Sequence, residues 1–126
     1  MPQAGLLFDR MAAAFRAAGW EAPETEAAAM IAELRGCNRL LARLEREVEL
    51  EPMLYGRGLA ALERRLGGEP WQYIFGRAYF RNLALAVTPA VLIPRPETEL
   101  LAQRCIDTLP EGGSMLDLGT GSGAIA

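Results

Sequence analysis

The chain contains no histidine and no lysine, and it has only two cysteines among its 126 residues. Without histidine, neither a His-based catalytic triad nor a His-ligated metal site can be built from these residues, and we expect no metal site. Cys37 and Cys105 are far apart in the sequence, so we interpret them as buried free thiols. The thirteen basic residues are all arginine, the better bidentate binder of carboxylate and phosphate.

A strong net charge and a long apolar run are also missing. The formal net charge is −3, which implies no general attraction to nucleic acid. No run of 18 apolar residues occurs, and no basic and apolar leader follows Met1. We therefore expect a monomeric cytoplasmic protein that contacts neither nucleic acid nor a membrane.

Apolar residues recur at helical spacing through the first 67 residues, which predicts a small helical bundle. The first predicted helix carries Leu7, Met11, Phe15 and Ala18 and ends at Gly19. The second runs from Pro23 to Gly36, because proline suits a first helical turn, and Asn38 is positioned to cap a shorter third helix. The fourth runs from Glu51-Pro52 to Gly67-Gly68, with Tyr55, Leu59, Leu62 and Leu66 on its apolar face and Arg57, Arg64 and Arg65 on the opposite face.

After Gly68 the pattern changes to short extended segments. Residues 69–76 predict a helical or turn segment rich in aromatic side chains. Residues 77–80 and 83–87 predict the two strands of a β-hairpin that bends at Arg81-Asn82. Two prolines then bracket Arg95, and Pro96 is predicted to open a helix that carries Leu100, Leu101, Cys105, Ile106 and Leu109.

The last dozen residues contain the most informative motif. Met115 to Leu118 predicts a short buried strand, and Ala124 to Ala126 predicts the first turn of a helix. Between them, Gly119, Gly121 and Gly123 alternate with Thr120 and Ser122. A glycine turn between a strand and a helix presents backbone N–H groups to a nucleotide-like ligand.

The glycine turn alone leaves two kinds of cofactor open. Gly119, Gly121 and Ala124 satisfy the degenerate dinucleotide-binding pattern, which allows a nicotinamide or flavin enzyme. Asp117 and the tighter alternation of glycines instead resemble the first motif of S-adenosylmethionine-dependent methyltransferases. An acid near a sulfonium and an ammonium group is electrostatically favourable.

Three motifs taken together resemble one family, the release-factor glutamine N5-methyltransferases. They are Gly68-Glu69-Pro70 with Gly76, the segment Leu92-Ile93-Pro94-Arg95-Pro96-Glu97-Thr98-Glu99, and the segment from Leu116 to Ala126. The resemblance implies an α+β fragment: an all-α helical bundle, a β-hairpin linker, and the first strand of a truncated Rossmann-like α/β methyltransferase domain. The implied domains are 1–68 for substrate recognition, 69–90 for the linker, and 91–126 for the start of the S-adenosylmethionine-binding domain.

The resemblance also implies an activity and a site. Members methylate the side-chain amide of the glutamine in the Gly-Gly-Gln loop of class I peptide chain release factors, with S-adenosylmethionine as cofactor. The implied cofactor-binding residues are Asp117, Gly119, Thr120, Gly121, Ser122 and Gly123, with Arg95, Glu97 and Thr98 along the same pocket.

The catalytic motif of that family, Asn-Pro-Pro-Tyr, is not among these residues and would follow Ala126. We therefore name no catalytic residue, and we expect the 126 residues alone to be inactive and residues 114–126 to be weakly anchored. Two alternatives remain: a non-catalytic helical module that binds a release factor, and a fragment of a dinucleotide-dependent oxidoreductase.

Overall fold

The computed structural model describes all 126 residues, which form two compact units, Met1–Ile74 and Phe75–Ala126. The first unit contains the helices α1 (Ala4–Ala17), α2 (Pro23–Arg35), α3 (Arg39–Leu44) and α4 (Pro52–Leu66) and most of the short helix α5 (Trp71–Phe75). The second contains the strands β1 (Arg77–Phe80) and β2 (Leu83–Ala86) and the helix α6 (Thr98–Thr108). None of the six helices is both long enough and apolar enough to cross a bilayer. The domain boundaries 1–68, 69–90 and 91–126 stay a prediction.

The four predicted helices of the first unit are confirmed, and local signals set their ends. Pro23 occupies the first turn of α2, and Gly36 ends that helix in the left-handed conformation, with φ of 66°. Asn38 caps α3, because its side-chain oxygen accepts a hydrogen bond of 2.8 Å from the Leu41 N–H. These signals act within a few residues, which is why the sequence alone reveals them.

The core of the first unit lies between α1 and α2. Leu7, Met11 and Phe15 of α1 are fully buried, as the helical spacing predicts. On α2, Met30 and Ile31 are equally buried, and small alanines surround them. Burial of one such side chain contributes about 1.5–3 kcal/mol to stability, so these five form the main apolar anchor of the bundle.

The residues before α1 are joined to the segment that follows α3. Gln3 forms an isolated antiparallel bridge with Glu49. The Ala4 N–H donates to the Val48 carbonyl, and the Leu50 N–H donates to the Pro2 carbonyl, both at 2.8 Å. These bonds hold the start of α1 beside residues nearly fifty positions later, and no sequence pattern indicated this pairing.

The predicted faces of α4 are partly wrong. Its buried residues are Gly58, Ala61 and Leu62, whereas Leu66 is exposed. Arg65 was predicted on the polar face, but it contacts other parts of the bundle. Its guanidinium carbon lies 4.5 Å from the centre of the Trp20 ring, and its nitrogens lie 3.3 and 3.4 Å from the Glu26 carboxylate. The helix turns Gly58 toward Leu7 of α1, and the missing side chain lets the two helices approach closely.

An ion pair closes the C-terminal end of α4. Arg64 donates to both oxygens of Glu69, at 2.7 and 2.5 Å. These hydrogen bonds, and secondarily the charge attraction, lower the pKa of the Glu69 carboxyl and raise the pKa of Arg64. The pair therefore ties the last turn of α4 to the residue just beyond Gly67-Gly68.

The predicted β-hairpin of the second unit is confirmed. β1 and β2 pair antiparallel in a register that joins Arg77 to Ala86 and Phe80 to Leu83. Arg81 and Asn82 form the two-residue bend, and Arg81 adopts a φ of 53°. Phe80 is buried, and Val87 continues the pairing through a 3.1 Å bond from its N–H to the Gly76 carbonyl.

Helix α6 begins at Thr98, two residues later than predicted. Residues 95–97 form a turn instead, because the first N–H groups that bond back are those of Thr98 and Glu99, to the carbonyls of Arg95 and Pro96. Only Ala102 of α6 is buried. Its large apolar side chains are exposed, namely Leu100, Leu101 and Ile106.

Two further predictions for the second unit are wrong. Residues 115–118 form no strand, and residues 124–126 form no helical turn. A strand requires a hydrogen-bonded neighbour, and the two strands of this chain pair only with each other. Leu116 and Leu118 are consequently 81% and 84% exposed. The cysteines are free, as predicted, but both are half-buried rather than buried.

Candidate cofactor-binding segment

The glycine turn has an unusual backbone. Gly119, Gly121 and Gly123 have φ values of 71°, 57° and 80°, in the left-handed region that favours glycine. A Cβ atom built at any of the three would meet no atom within 4 Å. In this structure the backbone conformation therefore requires glycine, and the turn leaves open space for a ligand.

Asp117 lies two residues before the first of these glycines. The residue as a whole is half-buried, and its Oδ2 atom is buried without a hydrogen-bond partner. A buried carboxylate oxygen without a partner carries a free-energy cost that a cationic group would relieve. This atom is the one feature of the segment that points directly to a positively charged ligand.

The side chains between the glycines differ in exposure. Thr120 is exposed, whereas Ser122 is half-buried together with Gly123. The Gly123 N–H donates to the Thr120 carbonyl at 2.9 Å, which closes a tight turn around Gly121. The turn forms without a preceding strand, so its shape is set by these residues themselves.

The second predicted part of the site is the turn before α6. Arg95 and Glu97 are exposed, and Thr98 is half-buried. The carbonyls of Arg95 and Glu97 accept hydrogen bonds from the N–H groups of Thr98 and Leu100, so their backbone is fixed by the helix start. No hydrogen bond or ion pair joins this turn to residues 117–123, so the structure does not link the two parts by a polar contact.

Sequence reasoning placed Glu99 in the segment along the pocket but did not predict its contact with the hairpin. Its Oε1 atom accepts a 2.6 Å hydrogen bond from the Arg81 N–H, at the bend of the hairpin. The Arg81 guanidinium in turn donates to the Gln103 side-chain oxygen at 2.8 Å. The bend lacks the glycine that two-residue hairpin bends favour, but the sequence does not show which side chain supports it.

Two open cavities adjoin α6 within the second unit. One of about 420 Å³ is lined by residues that include Phe80, Leu83, Ala102, Ile106 and Ile125. The other, of about 350 Å³, lies beside Cys105 and Leu109. Neither is lined by residues 95–98 or 117–123. The larger cavity is, however, lined by Ala124 to Ala126, which directly follow the glycine turn.

A family model defined as the PrmC N-terminal domain matches residues 7–76 of this chain. The match begins within α1, covers α2 to α5, and ends at the glycine before β1. It includes more than half of the chain.

Curated relatives extend the similarity beyond that domain. The release factor glutamine methyltransferase of Moorella thermoacetica is 44% identical over 114 residues, which cover 87% of this chain and 40% of the relative. That of Aliivibrio fischeri is 45% identical over 111 residues, 86% of this chain and 38% of the relative. That of Bifidobacterium longum is 39% identical over 128 residues, 94% of this chain and 43% of the relative. The chain thus spans about 40% of the length of these relatives, and it belongs to the family defined by the PrmC N-terminal domain.

Proposed function

We propose that this chain is the N-terminal portion of a release factor glutamine methyltransferase. The observation that carries the proposal is the extent of the similarity: the alignment with the Bifidobacterium longum enzyme covers 94% of the chain and so includes both units. In this proposal residues 1–68 recognise the substrate, 69–90 link the domains, and 91–126 begin a Rossmann-like domain. The protein acts in the cytoplasm as a monomer.

The proposed reaction methylates the side-chain amide nitrogen of the glutamine in the Gly-Gly-Gln motif of class I peptide chain release factors. S-adenosylmethionine, when bound, supplies an electrophilic methyl group. An amide nitrogen is a poor nucleophile, so catalysis depends on holding it in the correct orientation, which can supply several kcal/mol. The residues that grip the substrate lie outside these 126 residues in the proposal.

The residues present fit such a cofactor. The buried, unpartnered Oδ2 atom of Asp117 suits a ligand that carries two positive groups. The left-handed turn from Gly119 to Gly123, with Thr120 and Ser122, leaves its surroundings open for close approach of a ligand. Arg95, Glu97 and Thr98 would line the same pocket.

Calorimetry with S-adenosylmethionine tests the proposal on two polypeptides. One is the 126-residue chain, and the other is the extended polypeptide, in which residues 1–126 are followed by the segment that the gene encodes next. We expect the extended polypeptide to bind and the 126 residues to bind negligibly. Binding of S-adenosylmethionine by neither polypeptide, or of a dinucleotide by the extended one, would contradict the proposal.

A matched pair of variants tests the glycine turn within the extended polypeptide. We expect Gly121→Val to abolish binding, because a branched side chain would strain the turn and fill the ligand's space. Gly112→Val is the control: Gly112 has a similar positive φ of 72° and open surroundings but lies outside the turn. Equal loss of binding in both variants would show that backbone strain, rather than the site, is responsible.

A further inference from the structure

The bend of the hairpin contains an N–H group that the hairpin itself cannot satisfy. The register pairs Phe80 with Leu83, so Arg81 lies outside the ladder. Arg81 also adopts a φ of 53°, a conformation that residues other than glycine and asparagine rarely take. Backbone N–H groups need an acceptor, and an unfavourable conformation persists only when its surroundings fix it.

Two side chains in the first two turns of helix α6 accept hydrogen bonds from Arg81. The Glu99 carboxylate accepts the Arg81 N–H at 2.6 Å, a short, charge-assisted hydrogen bond. Gln103, one helical turn later, accepts from the Arg81 guanidinium at 2.8 Å. The Gln103 amide nitrogen donates to Asp107 at 2.8 Å, which leaves the Gln103 oxygen facing Arg81.

The same turn of α6 holds residues 95–98. The carbonyls of Arg95, Pro96 and Glu97 accept the N–H groups of Thr98, Glu99 and Leu100. The hydrogen bond between the Arg81 N–H and the Glu99 side chain therefore also fixes the backbone of these residues relative to the hairpin. We propose that Glu99 is a positioning residue, which joins the cofactor-lining turn 95–98 to the hairpin bend through the Arg81 amide.

This inference rests on the proposed function for the role of 95–98, but not for the hydrogen bond itself. It assigns different roles to neighbouring acids: Glu97 lines the cofactor pocket, whereas Glu99 acts through the hairpin. A glutamine at position 99 keeps the Oε1 acceptor and loses the charge. An alanine loses both, so the two variants separate an anchoring role from a charged contact with the ligand.

The experiment measures two quantities for Glu99→Gln and Glu99→Ala. Hydrogen exchange of the Arg81 amide is followed by NMR in the 126-residue chain, and the affinity for S-adenosylmethionine is measured by calorimetry in the extended polypeptide. We expect Glu99→Ala to lose the protection of the Arg81 amide and to bind about tenfold more weakly, the factor for one hydrogen bond to a charged group. We expect Glu99→Gln to retain amide protection and to bind within about threefold of the unsubstituted protein, because a neutral acceptor loses only part of that energy. Glu111→Ala, which removes an exposed acid beyond α6, is the control and should change neither quantity.

Each other outcome overturns the inference in a recognisable way. Unchanged protection of the Arg81 amide in Glu99→Ala would show that Glu99 does not anchor the bend. Lost protection with unchanged affinity would show that the anchor does not position the pocket. Equal loss of affinity in both variants, with Arg81 still protected in Glu99→Gln, would make Glu99 a charged ligand of the cofactor. If the unsubstituted extended polypeptide binds nothing, the proposed function and the positioning role fail together, while the amide protection still decides whether the anchor exists.

Discussion

At the scale of single residues, Gly58 sets how closely α4 approaches the rest of the bundle. A Cβ atom at Gly58 would lie 2.6 Å from a terminal carbon of Leu7 and 3.1 Å from one of Leu34. Leu7 is fully buried, so it has no free space into which to move. The glycine is therefore required by packing, whereas the glycines of the terminal turn are required by their backbone conformation.

We expect Gly58→Ala to lower the free energy of unfolding and Gly56→Ala to raise it. Both substitutions gain about 0.5–1 kcal/mol of helix propensity, but an extra methyl in a packed core costs about 1–3 kcal/mol. Gly56 is the matched control, since it lies in the same helix with nothing within 4 Å of its Cβ position. Urea denaturation of the two variants measures the difference, and equal stabilisation of both would contradict the packing argument.

The sequence predicted some site residues better than others. Alternating glycines indicated a tight turn, because the absence of a Cβ atom is a property of the residues themselves. The unpartnered Oδ2 of Asp117 and the contact of Arg65 with Trp20 could not be predicted, since both depend on which atoms lie nearby after folding. The role of Glu99 was missed for the same reason: its partner is 18 residues away.

At the scale of elements, the end of α4 carries an exposed ion pair between Arg64 and Glu69. The folded state lowers the pKa of the Glu69 carboxyl below its usual 4.5, chiefly through the hydrogen bonds from Arg64. A lowered folded-state pKa means that the pair stabilises the fold above pH 4.5 and that this contribution is lost as the pH falls through the folded-state value. Protonation of Glu69 should therefore weaken its bond to Arg64 at low pH, while the backbone hydrogen bonds of residues 67–69 still hold the end of α4.

We expect Arg64→Ala to return the pKa of Glu69 toward its usual value. An NMR titration of the Glu69 side-chain carboxyl carbon, in the original chain and in the variant, measures the change. Arg57→Ala serves as the control, since it removes an arginine from the same helix without removing a bond to Glu69. A Glu69 titration midpoint that is the same with and without Arg64 would contradict the assignment.

Helices were predicted more successfully than the terminal strand. Caps, prolines and helical spacing act over a few residues, so α1 to α4 could be placed from the sequence. A strand depends on a partner, and Met115 to Leu118 have the composition of a buried strand without a neighbour to pair with. The faces of α4 were mispredicted because an apolar stripe alone does not show that a glycine will turn toward the core.

At the scale of the whole molecule, stability should be unevenly distributed along the chain. The first unit contains the fully buried side chains of α1 and α2, whereas residues 113–126 have no helix or strand. Exchange of amide hydrogens reports such differences, because buried helices open rarely and irregular segments open readily. We expect slow exchange in α1 and α2 and exchange close to that of an unfolded peptide across 114–126, measured by NMR or mass spectrometry.

Strong protection of residues 115–118 in dilute solution would contradict this expectation. Protection that develops only at high protein concentration would indicate that the segment pairs with a second copy, since an extended apolar segment without a neighbour can accept one. Size-exclusion chromatography at the same concentrations distinguishes the two results.

The bridge between Gln3 and Glu49 has a consequence for the order of folding during synthesis. The Ala4 N–H is paired with the Val48 carbonyl and the Pro2 carbonyl with the Leu50 N–H, and the ribosome adds Val48 and Leu50 more than forty residues later. The first helix therefore leaves the ribosome with its leading backbone groups unpaired, and it cannot complete its native contacts until α2, α3 and residue 50 have emerged. A pause in translation before residue 50 has emerged from the ribosome should leave the nascent chain open to proteases and chaperones. A pause after α4 has emerged should not.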